Sequence, residues 1–271
     1  MGPQTPSGKL EGLFPGLLES GQYSDLEVHC GGEVFKVHKA IVCPQSDFFR
    51  LAVKPENGFQ EATSGVITLH DADRDVIKTV IMYLYYGNYP AETQLRGKAP
   101  FVHIMHHVKV YEAAEMYQMS GLKTQALENL SFLTRFGLWA NSVKGDDFVH
   151  FIEAVYDATP VPSDQLRAFV LGKVAKDFDT LRAGKGLPKS LHENPQFAED
   201  LLITLNEQRM ADQKLMSDLV PRLHVECSAC KDDFDPKLKD VLRVGDLRCD
   251  LCDAERESLV WSLPETRGDE Q

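Results

Sequence analysis

With 271 residues, the chain has room for about two compact domains and not for a large multidomain enzyme. Hydrophobic residues make up 43% and charged residues 26%, enough apolar material for a core, which excludes wholesale disorder. Lys and Arg number 29 against 41 Asp and Glu, and the net charge of −12 argues against non-specific binding to nucleic acid or to anionic membranes.

Every apolar stretch falls well short of the ~20 residues a bilayer span needs. The opening Met1-Gly2-Pro3-Gln4-Thr5-Pro6 lacks a basic-then-apolar signal, so an intracellular, soluble protein, cytoplasmic or nuclear, is expected. Pro3 directly after Gly2, with no polybasic stretch nearby, gives no support to a lipid anchor.

Gly and Pro run through residues 1–22, an arm whose cluster Leu10, Leu13, Phe14, Leu17 and Leu18 has room for one or two helical turns around Pro15. From Asp25 the pattern turns to period two: Leu26, Val28 and Cys30, then Gly31-Gly32, then Val34, Phe35 and Val37 predict a β-hairpin. Residues 38–53 read as helical, Val66, Ile67 and Leu69 as a third strand, and Val76, Ile77, Val80, Ile81, Leu84 and Tyr85 as a helix ended by Gly87-Asn88. The order β-β-α-β-α predicts an α+β fold. After a loop over 90–100, helices are expected through Val110, Ala113, Ala114 and Tyr117, and through Leu122, Ala126, Leu127, Leu130 and Leu133. Beyond Trp139 the chain reads as all helical. Asp146 is a candidate cap for a stripe of Phe148, Phe151, Ile152, Val155 and Tyr156, Ser163 for the next helix, and Asn194-Pro195 opens a third.

Several segments together resemble a BTB/POZ domain, most closely its fungal members. They are Ser24-Asp-Leu-Glu-Val28, Phe35-Lys-Val-His-Lys-Ala-Ile-Val42, Phe48-Phe49-Arg50, Phe59-Gln-Glu61 before Val66-Ile-Thr-Leu69, Met82-Tyr-Leu-Tyr-Tyr-Gly-Asn-Tyr89, and His107 to Tyr117 with Gly121-Leu-Lys123. The resemblance implies a small β-sheet flanked by helices, and a protein-interaction module without catalysis. It also implies partners. Some members bind the N-terminal region of a cullin scaffold as substrate adaptors for ubiquitin ligases, through a hydrophobic residue, any residue, then Glu; Phe59-Gln60-Glu61 fits that pattern. An apolar anchor filling a pocket beside a hydrogen-bonding carboxylate is sound recognition chemistry. Many members pair as homodimers, for which Leu13, Phe14, Leu17 and Leu18 are the candidate contacts. Asp25 and His38 match family positions and are expected to lock the hairpin to the following helix, while Cys30 and Cys43 are expected to be reduced thiols.

Cys227-Ser-Ala-Cys230 and Cys249-Asp-Leu-Cys252 give C-x2-C-x18-C-x2-C, a spacing at which paired knuckles close a tetrahedral site around one structural zinc ion. Four thiolates fill the shell and leave no position for water or substrate. Two disulfides or a redox dithiol are the alternatives, disfavoured in an intracellular chain without a thioredoxin-like context. Residues 222–256 hold seven Lys/Arg against nine Asp/Glu, which argues against a DNA reader. His224 is not needed as a ligand.

His103, His106 and His107 read as surface or packing residues, and Met116, Tyr117 and Met119 as core. No nucleophile elbow, P-loop or dinucleotide fingerprint is present, so no enzyme is expected. The expected organisation is an arm over 1–22, a BTB/POZ domain over 23–137, a helical region over 138–221, a zinc module over 222–262 and a tail over 263–271. A cullin adaptor is the leading reading; an oligomerisation scaffold or a nuclear transcriptional regulator is the alternative.

Overall fold

A computed structural model describes residues 13–91, 100–134, 143, 145–161, 164–219, 224–227, 233–234 and 259–262. The chain divides into two compact units, Met1–Glu199 and Asp200–Gln271.

In the first unit, α1 (Leu13–Ser20) leads to β1 (Leu26–Cys30) and β2 (Glu33–Val37), followed by α2 (Lys39–Val42), α3 (Asp47–Ala52) and a 3-10 turn at Pro55–Asn57. Next come α4 (Gln60–Ser64), β3 (Val66–Leu69), α5 (Arg74–Tyr86), α6 (Pro100–Met116) and α7 (Ser120–Leu133). The hairpin turns through Gly31 and Gly32 at φ 55° and 81°, a left-handed pair that glycine adopts without penalty, and Cys30 faces Glu33 across it. The sheet order is β2-β1-β3, with β1 antiparallel to β2 and parallel to β3. Leu26, Val28 and Cys30 are buried, as are Val76, Ile77, Val80, Ile81, Leu84 and Tyr85 of α5, and each such aliphatic side chain contributes about 1.5–3 kcal/mol of burial free energy.

Among the described residues, this unit continues with α8 (Asp146–Ala158), α9 (Gln165–Lys176), α10 (Phe178–Arg182) and α11 (Gly186–Glu193). The stripe Phe148, Phe151, Ile152 and Val155 is buried, and α8 packs against α6 and α11. Two expected caps differ. Gly145 at φ 56° is the N-cap of α8, and Asp146, the first residue inside the helix, pairs with Lys189 at 2.6 Å instead of capping. Asp164 caps α9, accepting from the Leu166 N–H at 2.8 Å; Ser163 lies outside the described residues. As expected, Asn194 accepts from the Phe197 N–H at 2.9 Å where α12 (Pro195–Leu219) begins.

The second unit contains the remainder of α12 and a small antiparallel sheet of order β5-β4-β6, formed by β4 (His224–Cys227), β5 (Asp233–Phe234) and β6 (Leu259–Ser262). Among the described residues, no helix is long and apolar enough to cross a membrane.

Candidate protein-interaction site

The site starts from two local breaks in the backbone. Gly58 at φ 69° ends the 3-10 turn, and the extended Phe59 then starts α4, so the Phe59 side chain stands out from the surface at 52% exposure. Half-buried Glu61 follows in the first turn of α4, and Gly65 at φ 68° ends that helix by donating its N–H to the Glu61 carbonyl at 3.0 Å. The second break is at Gln118, a non-glycine residue at φ 55°, two residues past the end of α6.

Between the breaks lies an aromatic cluster. Phe48 meets the Tyr117 ring edge-on at 4.9 Å and Phe49 stacks on it at 5.9 Å. Ser46 donates to the Tyr117 carbonyl at 2.7 Å while its hydroxyl accepts from the Phe49 N–H, so α3 and the end of α6 are fixed together. With Tyr117 turned inward, Met116 stands outward at 61% exposure. Phe48, Leu51, Phe59, Glu61, Ile67 and Met116 thereby line a groove of about 640 Å³. The groove brings both candidate partner-binding residues, Phe59 and Glu61, to one surface. Sequence reasoning missed Leu51, Phe48 and Gln118, and placed Met116 in the core. Only the position of Met116 at the margin of the stripe Val110, Ala113, Ala114 and Tyr117 could have signalled otherwise.

Past Thr68, Leu69 and Met116, which line both, the surface continues into a second groove of about 570 Å³ bordered by His70, Asp71, Asp73, Lys109 and Glu112. Lys109 pairs with Asp73 at 2.9 Å. Burial raises the Asp73 pKa, but the Lys109 hydrogen bond and charge and two backbone N–H groups outweigh it and hold the carboxyl below its usual range.

The other candidate residues lie elsewhere. The Asp25 side chain accepts from the Lys39 N–H at 2.8 Å, joining the start of β1 to α2 although the residue is exposed. Buried His38 donates Nε2–H to the Gln22 carbonyl at 2.7 Å, accepts the Tyr85 hydroxyl proton at Nδ1 at 2.7 Å, and donates its backbone N–H to the same hydroxyl. Burial pushes the Tyr85 hydroxyl pKa up to about 12, so it stays a donor. On α1, Phe14 is exposed while Leu17 and Leu18 are half-buried, and the helix packs on α5; the side chain of Leu13 lies outside the described residues. Burial raises the thiol pKa of Cys30 and Cys43, which are unpaired. Cys227 ends β4, whereas Cys230, Cys249 and Cys252 lie outside the described residues. Among the described residues no group of His, Cys, Asp and Glu is arranged to hold a metal.

A family model for the BTB/POZ domain matches residues 14–132. The chain is 27% identical over 117 residues to the human Kelch repeat and BTB domain-containing protein 4, covering 43% of this chain and 20% of that protein. It is 33% identical over 109 residues to the mouse TD and POZ domain-containing protein 3, covering 40% and 26% respectively. The chain thus spans only about a fifth to a quarter of the length of these relatives. Among solved structures, the BTB domain of zebrafish PATZ1 aligns with TM-score 0.34 at 16% identity, over 47% of this chain and 95% of that one. The family-model match coincides with the hairpin, the parallel third strand and the helices around them: residues 14–132 are a BTB/POZ domain.

Proposed function

We propose that this chain is a non-enzymatic adaptor whose BTB domain docks the N-terminal domain of a cullin and recruits substrates for ubiquitination. The single observation that carries the reading is the groove in which exposed Phe59, Leu51 and Met116 share one lining with Glu61 and Phe48. An exposed aromatic beside aliphatic side chains offers the buried anchor that dominates interface energy, and a rim carboxylate offers a charge-assisted hydrogen bond. The similarity to a Kelch repeat and BTB domain protein supports the interaction role. Co-elution of the purified chain with a cullin N-terminal domain on size exclusion, lost in Phe59→Ala, tests the proposal; a folded wild-type chain that elutes alone contradicts it. A homodimer through Phe14, Leu17 and Leu18 is compatible with this role, and equilibrium sedimentation decides it. An oligomerisation scaffold or nuclear transcriptional regulator with a structural zinc module is the reading to adopt if cullin binding fails.

The C-terminal unit is proposed to be closed by one structural zinc ion on Cys227, Cys230, Cys249 and Cys252. The donor set fits a soft divalent ion, and the strand register supports it. Glu226 faces Asp233, so the first cysteine pair falls at this hairpin, Cys227 as the last residue of β4 and Cys230 in the sequence that leads to β5, as a zinc knuckle requires. The sheet has few residues to bury, and metal closure supplies folding free energy that so small a unit lacks. Elemental analysis is expected to find one zinc per chain, lost in Cys227→Ser/Cys249→Ser; a zinc-free folded chain contradicts the assignment.

A further inference from the structure

The second groove, beyond Met116, is not used by an anchor at Phe59 and Glu61. It is open, continuous with the first through Thr68, Leu69 and Met116, and its border is charged. Lys109 is committed to Asp73. Asp71, Glu112 and, in the adjoining half, Glu61 make no ion pair among the described residues, so the combined groove presents uncompensated negative charge around an exposed methionine.

We infer that the partner seated on Phe59 carries a Lys- or Arg-bearing segment that continues past Met116 into this acidic half of the groove, so that the domain selects its partner by charge as well as by the apolar anchor. The inference rests on the adaptor reading above. Charge decides among the possible occupants. A nucleic acid or an anionic lipid surface is repelled by the groove and by the net charge of −12. A second copy meeting this face across a two-fold axis sets the same carboxylates against themselves, and the groove's Lys109, the one lysine or arginine among the described residues that line it, is already held by Asp73. A basic protein segment has the matching charge, and its aliphatic stems can lie along Met116, Leu69 and Ala113 while the cationic heads reach Asp71 and Glu112.

The experiment is a titration of the full chain with a cullin N-terminal domain at low and at physiological ionic strength, across which the Debye length falls from about 30 Å to about 8 Å. Wild type, Phe59→Ala, Asp71→Lys/Glu112→Lys and Asp71→Asn/Glu112→Gln are compared, with circular dichroism confirming that each is folded. The expected result is a loss of about tenfold in affinity for the charge reversal, mainly in the association rate, a smaller loss for the neutral pair, and a flatter salt dependence in both. Affinity and salt dependence unchanged in both rim variants, with binding still lost in Phe59→Ala, overturn the inference and leave the adaptor reading standing. No binding by folded wild type overturns both.

Discussion

His107 shows how much one buried side chain can fix. Its Nε2–H donates to the Ala91 carbonyl at 3.1 Å and its Nδ1 accepts the Tyr89 hydroxyl proton at 3.0 Å, an arrangement that is complete only for the neutral ring. Burial, with a smaller contribution from His106, depresses its pKa to about 4. Above about pH 6.5 neither the folded nor the unfolded chain protonates this ring; between 6.5 and 4 only the unfolded chain does. Stability is therefore expected to be flat above neutrality and to fall by about 3 kcal/mol as the pH drops through that window. Urea unfolding across the window checks this. In His107→Gln that part of the slope should vanish, and a retained slope contradicts the assignment. Arg167 is a second such residue. It is buried, lies 4.2 Å over the Tyr156 ring, and donates through Nε to the Thr159 hydroxyl at 3.2 Å and through a terminal nitrogen to the Thr159 carbonyl. Arg167→Ala is expected to lower stability by about 3 kcal/mol in chemical denaturation, since it leaves buried acceptors unpaired and opens a cavity. The sequence left His107 as either a surface or a packing residue, and burial decides for packing; the role of Arg167 was not legible, because an arginine in a helix carries no local signal of burial until a fold surrounds it. His38 could be singled out because its neighbours matched a family pattern.

At the scale of elements, the hairpin, β3 and α5 were legible because local patterns coincide with the packing they serve: Gly31-Gly32 turns where left-handed backbone is needed, and the apolar spacing of α5 is the face it buries. The pattern faded where tertiary contact chooses the boundary. No apolar period marks the start of α11, which Gly186 opens because its missing side chain lets it approach Phe148 and Gly145; an added Cβ meets the Phe148 Cβ at 2.7 Å and the Gly145 carbonyl at 2.8 Å. Gly186→Ala is expected to cost about 1–3 kcal/mol in thermal or urea unfolding. Asp164 is the other junction. Besides capping α9 it accepts from the Tyr111 hydroxyl at 2.7 Å and from Lys123 at 3.1 Å, so one carboxylate joins α6, α7 and α9. Burial raises its pKa, but these donors prevail and hold it below the usual carboxylate range, so its contribution is present at neutral pH and lost as the pH falls below about 4. Asp164→Ala is expected to destabilise the first unit by about 2–3 kcal/mol at pH 7, with the difference from wild type shrinking in acid. A constant difference across that range contradicts the network's role.

The chain as a whole follows a BTB/POZ domain with further helices and with a small sheet whose strands span the sequence of four cysteines. The sequence spacing of those cysteines is the clearest chemical signal in the chain, while the groove proposed for docking could be read only in part. Phe59 and Glu61 were visible as a short motif, but Leu51, Phe48 and Met116 reach the same surface from α3 and α6, and only folding shows that Tyr117 takes the inward position and leaves Met116 outside. Calorimetric titration of the full chain with a cullin N-terminal domain, with Phe59→Ala and Glu61→Lys alongside, tests the adaptor role most directly. Binding with a dissociation constant of about a micromolar or tighter, corresponding to about −8 kcal/mol, and its loss in both variants is the expected result. Absence of heat from folded wild-type protein, or equal binding by all three chains, contradicts it.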